Sequence, residues 1–264
     1  MHAFRAGGGV IHFRDEGDRG GLPVVFANSL GSDLRVWDAM AAALPARLRL
    51  IRYDKRGHGL SDCPPGPYTI EALADDLAAL LDHLEVRRAL VVGLSIGGLI
   101  AQSLAARRPD LVRAMVLMDT AAKVGDATMW ESRIAQVREQ GIESLADGLM
   151  QRWFSAAFRA NRSEELAIWR NMVCRQTVEG YAACCAALRD ADLRDAARKL
   201  SLPVLAMVGD EDGATPPAVV EATAELIAGA RFEVVRQAGH IPCVEHPRTC
   251  AAMLLSFISE HDLD

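Results

Sequence analysis

VVGLSIGGLIAQ, Val91 to Gln102, is the stretch whose reading decides the fold. It begins as an apolar, β-branched strand and ends with the spacing of a helix. Between the two lie Gly93, Gly97 and Gly98 and one hydroxyl, that of Ser95. A strand that turns into a helix over so few residues brings backbone against backbone, which glycine tolerates and larger residues do not. Ser95 is then carried at the N-terminus of the outgoing helix. There the backbone N–H of Ile96 is free to donate to a developing negative charge. Gly93-Leu94-Ser95-Ile96-Gly97 also fits G-x-S-x-G, the pattern of a nucleophile elbow in a strand–turn–helix setting. A plain Gly-Ser turn has the same composition, so the assignment depends on partners elsewhere in the chain.

A serine hydroxyl needs a base to take its proton. Of the seven histidines, His2 and His261 lie near the termini, His83 on the polar side of a helical segment and His12 in an early strand. His58, His240 and His246 fall in loops. His240, in QAGHIPCVEHP, follows the strand-like RFEVV and precedes a helical C-terminal segment, and is the expected base. A carboxylate should orient its imidazole. PVLAMVGDED ends a strand with Asp210, Glu211 and Asp212. Asp212 is the choice because it lies past the strand end, and the other two read as a solvated acidic turn. The order Ser95, Asp212, His240 is that of α/β-hydrolase triads. A second oxyanion donor is expected from Asn28-Ser29-Leu30-Gly31-Ser32, after the strand PVVFAN, and is assigned to the N–H of Leu30.

The surrounding pattern is strand, helix, strand, helix. Short apolar runs at PVVFAN, LRLIRYD, ALVVGL, VRAMVLMD and PVLAMVGD suit strands covered on both faces. VIHFR alternates like a half-exposed strand. Thr69 to Leu84 is amphipathic, with Thr69 as a plausible N-cap. This alternation predicts a parallel α/β sheet. It breaks from about Ala122 to Asp190, where the pattern is helical and Trp130, Trp153 and Trp169 cluster. The expected organisation is a core of residues 1–121 and 191–264 with a helical cap, residues 122–190, inserted between its halves.

The 264 residues are half hydrophobic and 24% charged, as in a folded globular chain, with a net charge of −6 that does not favour nucleic acid or an anionic membrane. The N-terminus shows no signal core and no window resembles a membrane span, so a cytoplasmic location is expected. The six cysteines form no C-x-x-C pair and lack zinc spacing, so neither a disulfide framework nor a metal site is predicted.

Taken together these motifs resemble the α/β-hydrolase family over nearly the whole chain. YDKRGHGLSD (Tyr53 to Asp62) is similar to the family's loop after its fourth strand. GDEDGATPP and AGHIPCVEHP are similar to its acid and histidine loops. The resemblance implies a mostly parallel eight-stranded sheet with a helical cap after the sixth strand. It also implies an oxyanion hole at Leu30 and Ile96. NSLGSDLRVWD, GLSIGG and DTAAK further resemble the family's enol-lactone-hydrolysing branch. That branch takes a small anionic lactone and uses no metal or organic cofactor. The ligand's carboxylate would need a cation from the cap, where Arg133, Arg138, Arg152, Arg170 and Arg175 are available. Arg133 is preferred because Trp130 stands one turn away, and Trp130 and Trp153 are expected pocket walls. Two other readings share the scaffold: a carboxylesterase or cofactor-free haloperoxidase, and a binding protein that keeps the triad without turnover.

Overall fold

The computed structural model describes residues 1–263; Asp264, the last residue of the expected core segment, lies outside them. Eight strands form one sheet: β1 (His2–Ala6), β2 (Gly9–Gly17), β3 (Pro23–Ala27), β4 (Arg49–Tyr53), β5 (Ala89–Leu94), β6 (Val112–Met118), β7 (Val204–Gly209) and β8 (Arg231–Val235). Their order is β1-β2-β4-β3-β5-β6-β7-β8. The β1–β2 and β2–β4 pairs are antiparallel and the rest are parallel. Every residue of β5 and β7 is buried, which is why those runs read as continuously apolar rather than alternating.

The helices of the sheet layers are α1 (Asp38–Ala42), α2 (Ile70–His83) and α3 (Ile96–Arg107). The Thr69 side chain caps α2 by accepting from the Ala72 N–H, as the amphipathic reading predicted. Between β6 and β7 come six consecutive helices, of which the first five are α4 (Ala127–Gln140), α5 (Glu143–Trp153), α6 (Ala156–Asn161), α7 (Ser163–Cys174) and α8 (Val178–Asp190). Residues of α4, α5 and α8 line the cavity into which Ser95 faces. The chain closes with α9 (Arg194–Ala197), α10 (Pro217–Ala224), α11 (Pro242–Glu245) and α12 (Pro247–Glu260).

Strand β1 is the one strand the periodicity did not disclose. It lies on the sheet edge, and four of its five residues are at least partly exposed, so no apolar run marks it. All six cysteines are free thiols. No helix of the described residues is long and apolar enough to cross a membrane.

Candidate active site

The elbow forms because β5 ends against the start of α3 with no space for side chains. A Cβ on Gly93 would overlap the carbonyl of Gly97, and one on Gly97 would overlap the carbonyl of Ala27 in β3. Ser95 itself sits at φ 57°, a conformation that costs an L-residue about 1–3 kcal/mol. Three bonds hold it there: its N–H donates to Met118 O at 3.0 Å, its carbonyl accepts the Gly98 N–H at 2.8 Å, and Thr120 Oγ1 donates to the same carbonyl at 2.6 Å. The side chain faces a cavity of about 300 Å³ whose wall also includes His240.

His240 follows β8 and Asp212 follows β7, so the parallel sheet brings both to one end. His240 Nδ1 lies 2.9 Å from Asp212 Oδ2. Thr215 Oγ1 donates to the same oxygen at 2.7 Å, and the N–H groups of Ala214 and Thr215 donate to Asp212 Oδ1 at 2.7 and 3.0 Å. Burial works against the Asp212 charge, but the His240 partner and these donors together hold its carboxyl below the usual range. Asp212 is thus an anion fixed on the imidazole, which leaves Nε2 as the nitrogen able to accept a proton. Thr215 was not foreseen; its position three residues after Asp212, suited to a local side-chain turn, was the available signal.

A third carboxyl, Asp119 at the end of β6, completes the group. It is fully buried at φ 47° and its Oδ1 accepts the Gly209 N–H at 2.9 Å. Burial first, then the Asp212 charge, push its carboxyl well above the ordinary range. Asp119, Asp212 and His240 are the one set of side chains among the described residues that converges within a cation's reach. Within that set the Asp212 carboxylate already lies against His240 and accepts from Thr215 Oγ1 and two N–H groups.

The rival histidines have other partners. His58 is buried, and its Nε2 accepts the Gly31 N–H at 3.0 Å, so the proton sits on Nδ1. Burial and the neighbouring Lys55 charge hold its pKa well below the ordinary value. His246 Nε2 lies 2.8 Å from the Gln237 carbonyl. A second buried pair, His12 Nδ1 to Asp54 Oδ2 at 2.7 Å, borders a separate cavity of about 560 Å³ with no Ser, Thr or Cys in its wall.

Leu30 and Ser29 line the Ser95 cavity. Among the described residues no protein acceptor takes the Leu30 N–H. The Ile96 N–H belongs to the first turn of α3, where the helix itself does not use it.

Trp130, Arg133 and Trp153 line this cavity, together with Arg152 and Tyr181. The Arg133 guanidinium stands 5.1 Å over the Trp130 ring, which Nε1–H···O=C bonding to Val124 at 2.7 Å keeps in place. Neither Arg133 nor Arg152 has a carboxylate partner among the described residues. The other cap arginines are elsewhere: Arg170 pairs with Asp147 at 2.7 Å, Arg138 with Glu179 at 3.7 Å, and Arg175 borders the His12 cavity. The cap is stitched to the site. The Ile241 N–H donates to Trp153 O at 3.2 Å, and buried Glu245 accepts from Ser155 Oγ at 2.5 Å and from the Gly239 N–H at 2.6 Å.

A serine on an elbow, a histidine–aspartate pair and a cap-covered cavity at the carboxyl ends of a parallel sheet define a class. The α/β hydrolase fold family matches residues 23–247, and the chain belongs to it. Within it, the chain is 39% identical over 254 residues to 3-oxoadipate enol-lactonase 2 of Acinetobacter baylyi, covering 90% of this chain and 94% of that one. It superposes on the crystal structure of the enol-lactonase from Burkholderia xenovorans with a TM-score of 0.94 and 38% identity, covering 98% of this chain and all of that one (100%). A non-heme chloroperoxidase of Streptomyces lividans is 29% identical over 263 residues, with 94% of this chain and 95% of that one covered.

Proposed function

We propose that this protein is a serine-dependent carboxylic ester hydrolase that opens the ring of 3-oxoadipate enol-lactone to give 3-oxoadipate. The observation that carries the reading is the pairing, in one small cavity, of Ser95 and His240 with two arginines that have no carboxylate partner among the described residues. Two uncompensated guanidiniums beside an acyl-transfer centre favour an ester that carries its own carboxylate. The enol-lactonase relatives supply the particular lactone, and with it a place in the β-ketoadipate route of aromatic catabolism.

His240 Nε2 takes the Ser95 Oγ proton as Oγ attacks the lactone carbonyl. The N–H groups of Leu30 and Ile96 receive the oxyanion, each worth about 3 kcal/mol in the transition state. The ring C–O bond breaks, its oxygen takes the proton from His240, and the enol so formed ketonises while still tethered as the acyl group. A water molecule then attacks the acyl-enzyme, giving its proton to His240. Cleavage of the Ser95 ester releases the dicarboxylate and returns the proton to Oγ. His240 serves as base and acid in both halves, with Ser95 as the nucleophile of the first and water as that of the second.

Steady-state kinetics on the enol-lactone beside a neutral ester of similar size test the substrate. The wild type is expected to prefer the anionic lactone. Arg133→Ala is expected to lower kcat/KM for the lactone while sparing the neutral ester. Preference of the wild type for the neutral ester would favour the carboxylesterase or haloperoxidase-like reading. Ligand-induced stabilisation without multiple turnover would favour the binding-protein reading.

A further inference from the structure

The motif YDKRGHG has been used so far only through His58, yet it carries an unusual cation. Lys55 is 1% exposed, and its ammonium lies among backbone carbonyls, 2.6 Å from Ser29 O and 3.5 Å from both Asn28 O and Ser32 O. These are the carbonyls of the loop that presents the Leu30 N–H. Ser29 C=O and Leu30 N–H belong to the same peptide unit. In a trans peptide the two point in opposite directions. A cation that holds the Ser29 oxygen on one side therefore aims the Leu30 N–H to the other, where Leu30 and Ser95 share the cavity wall. The next peptide is held as well, because the Gly31 N–H donates to His58 Nε2 at 3.0 Å. Gly31, at φ 79°, lets the chain reverse between these two anchors.

We propose that Lys55 is a positioning residue for the oxyanion hole: its ammonium fixes the Ser29–Leu30 peptide so that the Leu30 N–H points at the reacting carbonyl oxygen. This rests on the assignment of Ser95 as nucleophile but not on the identity of the lactone. The Ser29 oxygen also accepts the Ser32 Oγ–H at 3.0 Å and the Ser32 N–H at 3.3 Å, so the ammonium makes the shortest of three contacts on this carbonyl, and its loss loosens the peptide and the aim of the Leu30 N–H. Burial drives the Lys55 pKa down to about 8, and the nearby charges of Asp54 and Asp33 and the Cys184 thiol partly oppose that. The cation is therefore retained in the interior against a substantial desolvation cost, which a residue used only for packing would not require.

The test uses a neutral aryl ester, p-nitrophenyl acetate, as substrate. Phenylboronic acid serves as the probe of the tetrahedral adduct on serine. Lys55→Met is expected to lower kcat about 10- to 100-fold and to weaken phenylboronic acid binding by a similar factor, with KM little changed. If Lys55→Met does not fold, Lys55→Gln, which keeps an amide donor, is expected to fall between it and the wild type, again with kcat and boronate affinity moving together. A folded Met or Gln variant with kcat and boronate affinity like the wild type overturns the proposal. So does one in which kcat falls but boronate affinity does not. Ser95→Ala run in parallel separates the two claims. If it still hydrolyses the ester, the nucleophile is wrong; if it is inactive while Lys55→Met is normal, only the role of Lys55 is wrong.

Discussion

His240–Asp212 and His12–Asp54 are nearly the same object in isolation: a buried imidazole with Nδ1 on a carboxylate oxygen, at 2.9 and 2.7 Å. Their surroundings separate them. Asp212 is braced by Thr215 and two local N–H groups, all within the loop that follows β7. Asp54 instead accepts the N–H of Leu34 at 2.8 Å and of Leu60 at 2.9 Å, so it ties distant loops together. The first pair shares its cavity with a strained serine; the second borders a cavity without a nucleophile. The lesson is that a His–Asp pair defines an acid–base unit only through what its free nitrogen faces.

The largest expected effect falls on Ser95. Ser95→Ala should lower kcat by about 10⁴–10⁶, measured by pre-steady-state and steady-state hydrolysis. Full activity in that variant would make the two pairs equivalent and undo the contrast. Asp212→Asn should cost about 10⁴ in kcat with the protein still folded, because the amide favours the wrong imidazole tautomer. At the other pair, His12→Ala should show in stability, at about 1–3 kcal/mol in urea unfolding, with kcat largely kept. A loss of kcat at His12 as large as that at Asp212 would break the comparison.

The smallest effect concerns a buried histidine with no carboxylate in hydrogen-bond reach among the described residues. Because folding lowers the His58 pKa, the unfolded chain binds a proton below about pH 6.5 that the native state refuses. Stability is therefore full above that pH and is lost as the pH falls, by up to about 1.4 kcal/mol per unit. His58→Gln should flatten this slope, read as urea midpoints at pH 7 and pH 5. An unchanged slope would assign the acid sensitivity elsewhere.

Much of this was legible in the chain. The elbow was readable because strand, glycines, serine and helix are contiguous. Asp212 and His240 were read from the loops that follow two strand-like runs, continuously apolar in β7 and half-buried in β8. What escaped was of two kinds. Strand β1 carries no periodic signal because it pairs along one edge and exposes most of its residues. Lys55, His58 and Asp119 act on loops far away in sequence, and Lys55 meets Ser29 across 26 positions. Arg152 and Arg170 looked alike as cap cations. In the fold Arg152 borders the Ser95 cavity while Arg170 pairs with Asp147.

Glu245 has a mechanical consequence. It bonds both Ser155, at the junction of α5 and α6, and Gly239, the residue before His240. Trp153, a wall of the cavity, shares the same junction through Ile241. Wall and base thus stand on one footing. A displacement of the α5 end would therefore be transmitted to the loop that carries His240.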